Sequence, residues 1–523
     1  MAPYVVIALI LLSIFCFHLL VGVIGVLRGP GTLRLLVLAL VCLAGLFCGR
    51  RDLPLAFLAV AFMINFDCII YLAGSWQTYT LGLDNGLLDS VWLPVMAGLL
   101  AFFRPALLLV PGIAIQWSKV ALAGKIGGGI SGNSDYIIVP DLAVLIAVFS
   151  AIYSSFQLLR LVIPHRWPVN MAGDRPALHS YFIGCVVAMA GIHLSNYFYS
   201  GWEKLFLLNA APWTRVLENP TYLLAVHTQD FGFLTTPTVL GLSDDFYALL
   251  MIVNVPLNVA VLVAQLMAVG VLLSPRASTL LTIFYDLMHL AIFALTAIFF
   301  WKWVVLNAGF VLAFDTIRRH SPVVPKPVLL TGCVLVIAAP LLSFSITRLA
   351  WFDTPGVNDV HIEAITQAGE TVRVPSNFFL NDSIGVAQQR FAGAFHGYLP
   401  TATRGTTGNA EVLHRLQQDC VAAASAWDLP AGAHDRIERL LVSHHAAAIA
   451  LSADGSGRFA YDLYPHHIWS SPWGFGPFAA LDLRTVSSYV PVVEGRCVTV
   501  EPDGRVVRTP VGISRHEFPV SAR

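Results

Sequence analysis

Between Gly191 and Trp213 the chain reads GIHLSNYFYSGWEKLFLLNAAPW: an apolar run carrying His193 and Asn196, four aromatic residues interleaved with Ser200 and Gly201, then an adjacent acid and base, Glu203 and Lys204. Charges at the edge of hydrocarbon are costly and point by default to function. Burial disfavours the ammonium form of an amine, which suits Lys204 to general-base work. A carboxylate beside it would hold the proton on the amine. Glu203 and Lys204 therefore need opposite-facing environments if Lys204 is to act as a base. The plainer reading is an interfacial aromatic belt of Tyr197, Tyr199 and Trp202, with Lys204 snorkelling to water. A second pair, Asp286 and His289, is spaced three apart and falls on one helix face. It could orient a ligand or relay a proton, or simply fix bundle packing through an interhelical hydrogen bond.

These residues sit in a chain of 523 residues that is 57% hydrophobic and only 12% charged, with a mean hydropathy of +0.72. Soluble domains carry about 25% charged residues, so the composition predicts an α-helical polytopic membrane bundle. Lys plus Arg equals Asp plus Glu at 31 each, leaving no field to attract nucleic acid. Eight cysteines without CxxC or His/Cys spacing argue against a zinc or iron–sulfur site, and no metal is expected.

The run Pro3 to Leu27 lacks a basic leader and reads as a retained helix. Leu33 to Phe47 and Leu53 to Leu72 follow, the latter holding Asn65 and Asp67 inside the apolar run. Val91 to Trp117 is interrupted at Arg104-Pro105 and predicts two short spans bent there. The glycine-rich stretch Gly124 to Gly132 lacks the ending of a phosphate loop and reads as a flexible connection. Helices are expected over Ile137 to Leu161, through the Lys204 stretch, and over Tyr247 to Leu273. Two more come from Thr279 to Phe314, split at Trp301-Lys302-Trp303, and the last is Val328 to Leu349. The total is about nine to eleven transmembrane helices in residues 1–350. Arg160, Arg166 and Arg175, then Arg276, then Arg318, Arg319 and Lys326, mark cytoplasmic connections by the positive-inside rule. That orientation puts Lys204, and everything after Ala350, outside. The expected location is a bacterial inner (cell) membrane, with no retention or lipidation motif in view.

Residues 351–523 read as a smaller extracytoplasmic α+β domain. Val360 to Val374 alternates as a hairpin around Ala368-Gly369, and Val492 to Pro510 around Asp503-Gly504. Asn409 to Trp427 and Ala433 to Leu451 read as amphipathic helices. Outside the cell, Cys420 and Cys497 could form a disulfide. His444-His445 and His466-His467 invite a metal reading, but adjacent helical residues point apart, so at most one of each pair would reach a shared site and they read as surface histidines.

Tyr197 to Leu205, YFYSGWEKL, followed by Trp213, is similar to the YFxAGxxKL…W signature of the HTTM family, which comprises vitamin K-dependent γ-carboxylases and their bacterial relatives. Asp286 to Phe310 resembles the family's helix pair with an aromatic break, and Asn133 to Ile137 looks like its asparagine–tyrosine helix entry. The resemblance covers roughly residues 50 to 320. It implies a helical membrane enzyme in which Lys204 is the base that deprotonates a reduced vitamin K-like quinone. Oxygenation then yields a stronger base, which takes a γ-proton from a peptide glutamate before carbon dioxide adds. From their spacing and placement, Glu203, Asp286 and His289 join Lys204 as catalytic candidates. Tyr197, Tyr199, Trp202, His193, Asn133 and Tyr136 are candidate cofactor contacts. The histidine that the carboxylases carry in the asparagine–tyrosine segment has no counterpart in Asn133-Ser134-Asp135-Tyr136, and the C-terminal domain is much shorter than theirs.

Two functions follow from this reading. One is a carboxylase-like membrane enzyme using a lipid-soluble quinol. The other is a non-enzymatic accessory or scaffold for maturation, export or assembly, whose outer domain binds a peptide or protein partner. Membrane lipid is a partner in both. A transporter fits less well, since the hydropathy shows no repeated halves.

Overall fold

The computed structural model describes residues 2–26, 32–46, 48–79, 92–116, 138–162, 175–209, 213–242, 244–320, 324–383, 386, 398–425, 432–450, 452, 455–459, 468–471 and 476–520. Asn133, Tyr136, the glycine-rich stretch and His466-His467 lie outside them. The N-terminal part is helical: α1 (Pro3–Val26), α2 (Thr32–Gly45), α3 (Leu55–Tyr79), α4 (Trp92–Ala101), α5 (Pro105–Gln116), α6 (Ile138–Val162) and α7 (Arg175–Leu205). Two short helices, α8 (Thr221–Asp230) and α9 (Thr236–Leu240), precede α10 (Asp244–Val271), α11 (Pro275–Thr296), α12 (Trp301–His320) and α13 (Lys326–Ala338). Six of the described helices are long and apolar enough to cross a membrane: α1, α3, α6, α7, α10 and α11. Three shorter apolar helices, α4, α5 and α13, accompany them.

Burial sorts these helices. The apolar stretch of α7 is buried almost throughout, so α7 is the axis of the bundle. By contrast α10 and α11 present Ile252, Leu280 and Leu287 outward, at 75%, 60% and 60% exposure. Apolar side chains exposed along two neighbouring helices suit hydrocarbon, not water. Glycine lets α7 meet α13: a Cβ on Gly191 would stand 2.4 Å from the Gly332 carbonyl oxygen, a backbone atom that cannot swing aside. Gly191→Ala is therefore expected to destabilise the bundle by about 1–3 kcal/mol through overpacking. Thermal denaturation in detergent measures it, and an unchanged midpoint would contradict this crossing.

Several sequence expectations need correction. The break between the helices of Thr279 to Phe314 comes at residues 297–300, where Ala297 takes a left-handed φ of 54°, so Trp301-Lys302-Trp303 opens α12 and is not the turn itself. The last span is shorter than expected. It ends at Ala338, and the chain then runs extended from 344 to 350 because it has side-chain partners on α7. Arg104-Pro105 does separate two short helices. Asn65 donates to the Gly98 carbonyl at 2.8 Å, and Asp67 is fully buried with Lys302 as its electrostatic neighbour.

The C-terminal part is built on an antiparallel sheet of β2 (Gly356–Thr366), β3 (Thr371–Val374), β5 (Val486–Val500), β6 (Val506–Arg515) and β7 (Phe518–Pro519), in the order β3-β2-β5-β6 with β7 also on β5. Both expected hairpins form, with Gly369 and Gly504 at φ 83° and 87°. β1 (Phe352–Asp353) pairs separately with β4 (Thr406–Thr407). The helix at Asn409 is capped by that residue's side chain but stops at Gln418, giving α14 (Ala410–Gln418); α15 (Ala433–Ala450) matches its expected span. A third, one-turn helix is α16 (Gly476–Ala480). His444 and His445 are not surface residues. α15 packs on the sheet, so His444 faces the Phe379 carbonyl and His445 the Tyr489 hydroxyl, 2% and 8% exposed. Cys420 and Cys497 are joined in a disulfide.

The sheet docks on the end of the bundle where α7, α11 and α13 finish. Trp469 donates its backbone N–H to the Ala297 carbonyl, and Arg508 forms a two-pronged ion pair with Asp230 of α8. Behind it Arg496 pairs with the buried Asp359. His227, also on α8, is fully buried. Its Nε2 bonds the Thr354 carbonyl at 3.0 Å, its Nδ1 has no partner, and burial lowers its pKa to about 4. Above pH 6.5 the ring is neutral folded or unfolded. As pH falls from about 6.5 to about 4 only the unfolded chain takes the proton, so stability is lost across that window, about 3 kcal/mol for this ring. His227→Gln should flatten the loss, read from denaturation midpoints over the same pH range.

Candidate functional site

One face of α7 carries Asn196, Ser200 and Lys204, each four residues after the last and so stacked along the helix. This polar ladder holds the extended chain that follows α13. Asn196 Oδ1 accepts from the Thr347 N–H at 2.8 Å, and Ser200 Oγ from the Leu349 N–H at 3.0 Å. Lys204 Nζ donates to the Leu349 carbonyl at 2.6 Å, to Gln265 Oε1 of α10 at 3.1 Å and to the Ser200 carbonyl at 3.3 Å. Its place in the last turn of α7 puts a cation where the helix dipole favours it. Every acceptor is neutral. Among the described residues no carboxylate lies within ion-pair distance of Lys204.

Glu203 explains why. It turns to the far side of the extended segment and pairs with Arg348 at 2.7 Å, while the same guanidinium lies over the Tyr199 ring. Successive residues of an extended chain point to opposite faces. Arg348 therefore points out and Leu349 in, and the adjacent acid and base of the sequence occupy different surroundings.

Lys204 lines a cavity of about 390 Å³ between α7, α10, α11 and the segment 347–353. Most of its wall is apolar, with Leu257 and Val261 on one side and Leu287, Met288 and Ile292 on the other. Four residues of the extended chain reach it in strict alternation: Thr347, Leu349, Trp351 and Asp353. Size and lining match sites for small lipophilic ligands, which are mostly apolar with a few convergent polar groups.

At the inner end stands a second polar cluster centred on Asn307 of α12. Its Nδ2 donates to the Tyr197 hydroxyl and to Asp286 Oδ1, both at 2.8 Å, and its Oδ1 faces His193 Nε2 at 2.7 Å. Tyr197 stacks on Tyr285 with centroids 3.8 Å apart and lines the cavity, as does His289. At the outer end Asp353 is 1% exposed and its Oδ2 accepts from Asn219 Nδ2 at 2.9 Å. Burial pushes its carboxyl up to about 7, against the opposing pull of Asn219 and Trp351.

The structure thus brings Lys204, Tyr197 and His289 to one cavity, with His193 and Asp286 joined to it through Asn307. It does not bring in Glu203, Tyr199 or Trp202. Tyr199 bonds the Ile337 carbonyl, and Trp202, 43% exposed, stacks on Phe198 and meets Phe206 at a tilt. Asp286 and His289 do share a helix face, but Asp286 bonds Asn307. Sequence reasoning passed over Asn307, Gln265, Asn258 and Asp353. The first three are polar residues inside apolar helices, a signal that was available. Asp353 gave none, lying beyond the last helix. Among the described residues no three His, Cys, Asp or Glu side chains converge as metal ligands.

No family model, no curated protein and no solved structure matches this chain.

Proposed function

We propose that this chain is an HTTM-type multi-pass membrane enzyme whose interhelical cavity receives a lipid-soluble quinol, with Lys204 as general base. The observation that carries it is the Lys204 amine, held only by neutral acceptors at the wall of a largely apolar cavity. The residues present suit such a ligand. Exposed Leu287 on α11 gives the cavity a flank towards hydrocarbon, its apolar walls would take a ring and chain, and Tyr197 offers an aromatic face. A bound quinol would supply an acidic phenol. Lys204 Nζ takes that proton, Gln265 and the Leu349 carbonyl orient the amine, and the extended segment keeps water from it. The Asn307 cluster holds Tyr197 in place. Arg276, Arg318, Arg319 and Lys326 stand at the helix ends opposite the C-terminal sheet, which supports an extracytoplasmic domain by the positive-inside rule. The disulfide supports the same side and an inner-membrane location.

A second reading is favoured by one detail. Three acceptors around Nζ match the three N–H bonds of an ammonium, so Lys204 could serve as a clamp joining bundle and outer domain in a non-enzymatic accessory protein with a peptide partner. The test is purified protein supplied with reduced naphthoquinone, oxygen and labelled bicarbonate. Quinol oxidation or label incorporation supports the enzyme; absence of both, with no quinone binding, supports the accessory.

A further inference from the structure

The cavity beside Lys204 is not closed on all sides. Among the described residues that line it, four are also exposed on the outside of the molecule: Ala260 on α10, and Phe284, Leu287 and Ala291 on α11. Leu287 is 60% exposed and Phe284 36%. The three on α11 are spaced by three and then four residues, so they form one stripe. α10 and α11 run back from a short turn at residues 272–274. Ala260 lies 14 residues before Ser274 and Ala291 17 after it, so at about 1.5 Å per residue the two alanines stand roughly level across the cleft. Beside them Val263 and Leu290 point outward as well. The edge of the opening is therefore apolar and directed to hydrocarbon, and two of its four side chains are single methyl groups.

We propose that the cleft between α10 and α11 is where the ligand's tail leaves the cavity: the ligand is a chain-bearing quinol whose ring lies beside Lys204 and whose alkyl tail passes between Ala260 and Ala291 into the bilayer. The inference rests on the quinol reading and adds the ligand's shape. Volume sets that shape. A space of about 390 Å³ lies towards the low end of small-molecule sites, which span about 300–1,000 Å³. It holds a fused ring and the first part of a chain. A tail of several isoprene units needs more room, and the surrounding interior is packed too closely to supply it. Outside the cleft the tail meets hydrocarbon, where methylene groups are better placed than in water. Polarity runs the same way. Gln265, which bonds Lys204, is buried, whereas Ala260 five residues earlier on α10 is exposed. The cavity thus grades from polar interior to apolar edge, and a ring hydroxyl turned inward with a tail turned outward matches it. Ala260 and Ala291 are then the positions that select for the tail.

Equilibrium binding to the full chain in lipid nanodiscs tests this, with two probes: a naphthoquinone without a tail, and the same ring bearing a multi-isoprenoid chain. Ala260→Phe and Ala291→Phe fill the cleft. Each should weaken the tailed quinone about tenfold or more through overpacking and leave the tailless one within about twofold. Ile252→Phe, at an exposed α10 position that does not line the cavity, should change neither. Should the alanine variants not fold, Leu287→Cys can be folded first and then capped with a bulky maleimide, read against wild type treated alike. Equal losses for both quinones, no loss for either, or a wild type that binds only the tailless probe would overturn the tail path and leave the quinol reading standing. No binding of either probe by the wild type overturns the quinol reading and the tail path together.

Discussion

Lys204→Ala is expected to lower quinol oxidation by the purified protein about 10²- to 10⁴-fold, the usual contribution of a positioned acid or base. The amine is the one basic group at the wall with a geometry fixed from three directions, by Ser200, Gln265 and Leu349. Lys204→Arg should not rescue the rate, because a guanidinium does not surrender its proton in proteins. Glu203→Gln should leave the rate nearly unchanged, since that carboxylate faces Arg348 across an exposed pair worth about 1 kcal/mol or less. Steady-state rates of the three variants measure this. A rate for Lys204→Ala equal to wild type would remove the amine from the chemistry. A large loss in Glu203→Gln would contradict the separation of the two side chains.

The largest expected effect on stability comes from the disulfide. Cys420 and Cys497 close a loop 77 residues long, for which chain entropy gives about 4 kcal/mol. The bond ties the chain following α14 to β5, where Cys497 sits opposite Gly356 in the register of β2. Replacing both cysteines by serine should loosen the segment from 398 to 425 and lower the urea midpoint for proteolysis of the C-terminal sheet by trypsin. The helical bundle should keep its own resistance. An unchanged midpoint would show that packing of Leu399, Leu416 and Ala423 suffices without the crosslink.

Much of this arrangement is visible in the residues themselves. Apolar runs mark α1, α3, α6, α7, α10 and α11, because a long hydrocarbon-compatible segment has few structural alternatives. Arg104-Pro105 marks its bend, and alternation around two glycine turns marks the hairpins. Lys204 is conspicuous as an amine among aromatics. The cavity itself is less legible. Its polar members Gln265 and Asp353 lie 61 and 149 positions from Lys204, and Asn307, which anchors Tyr197 behind its wall, lies 103 away; all meet only through packing. Leu341 to Leu349 is mostly apolar, so the sequence alone extends the final helix past its actual end at Ala338. What stops it is competition: the N–H groups of Thr347 and Leu349 find acceptors on Asn196 and Ser200 in place of intrahelical carbonyls. The burial of His444 likewise depends on the sheet beneath α15, which no local pattern reveals.

The alternation of Arg348 and Leu349 carries one more implication. Deleting or inserting a single residue between Ala338 and Phe352 would shift the parity of the strap. A guanidinium would then point inward to the space now bordered by Leu349, and Glu203 would lose its counter-charge. The length of that connector is therefore as tightly constrained as any side chain on it, and variants of this chain should tolerate substitution there far better than a change of one in the count.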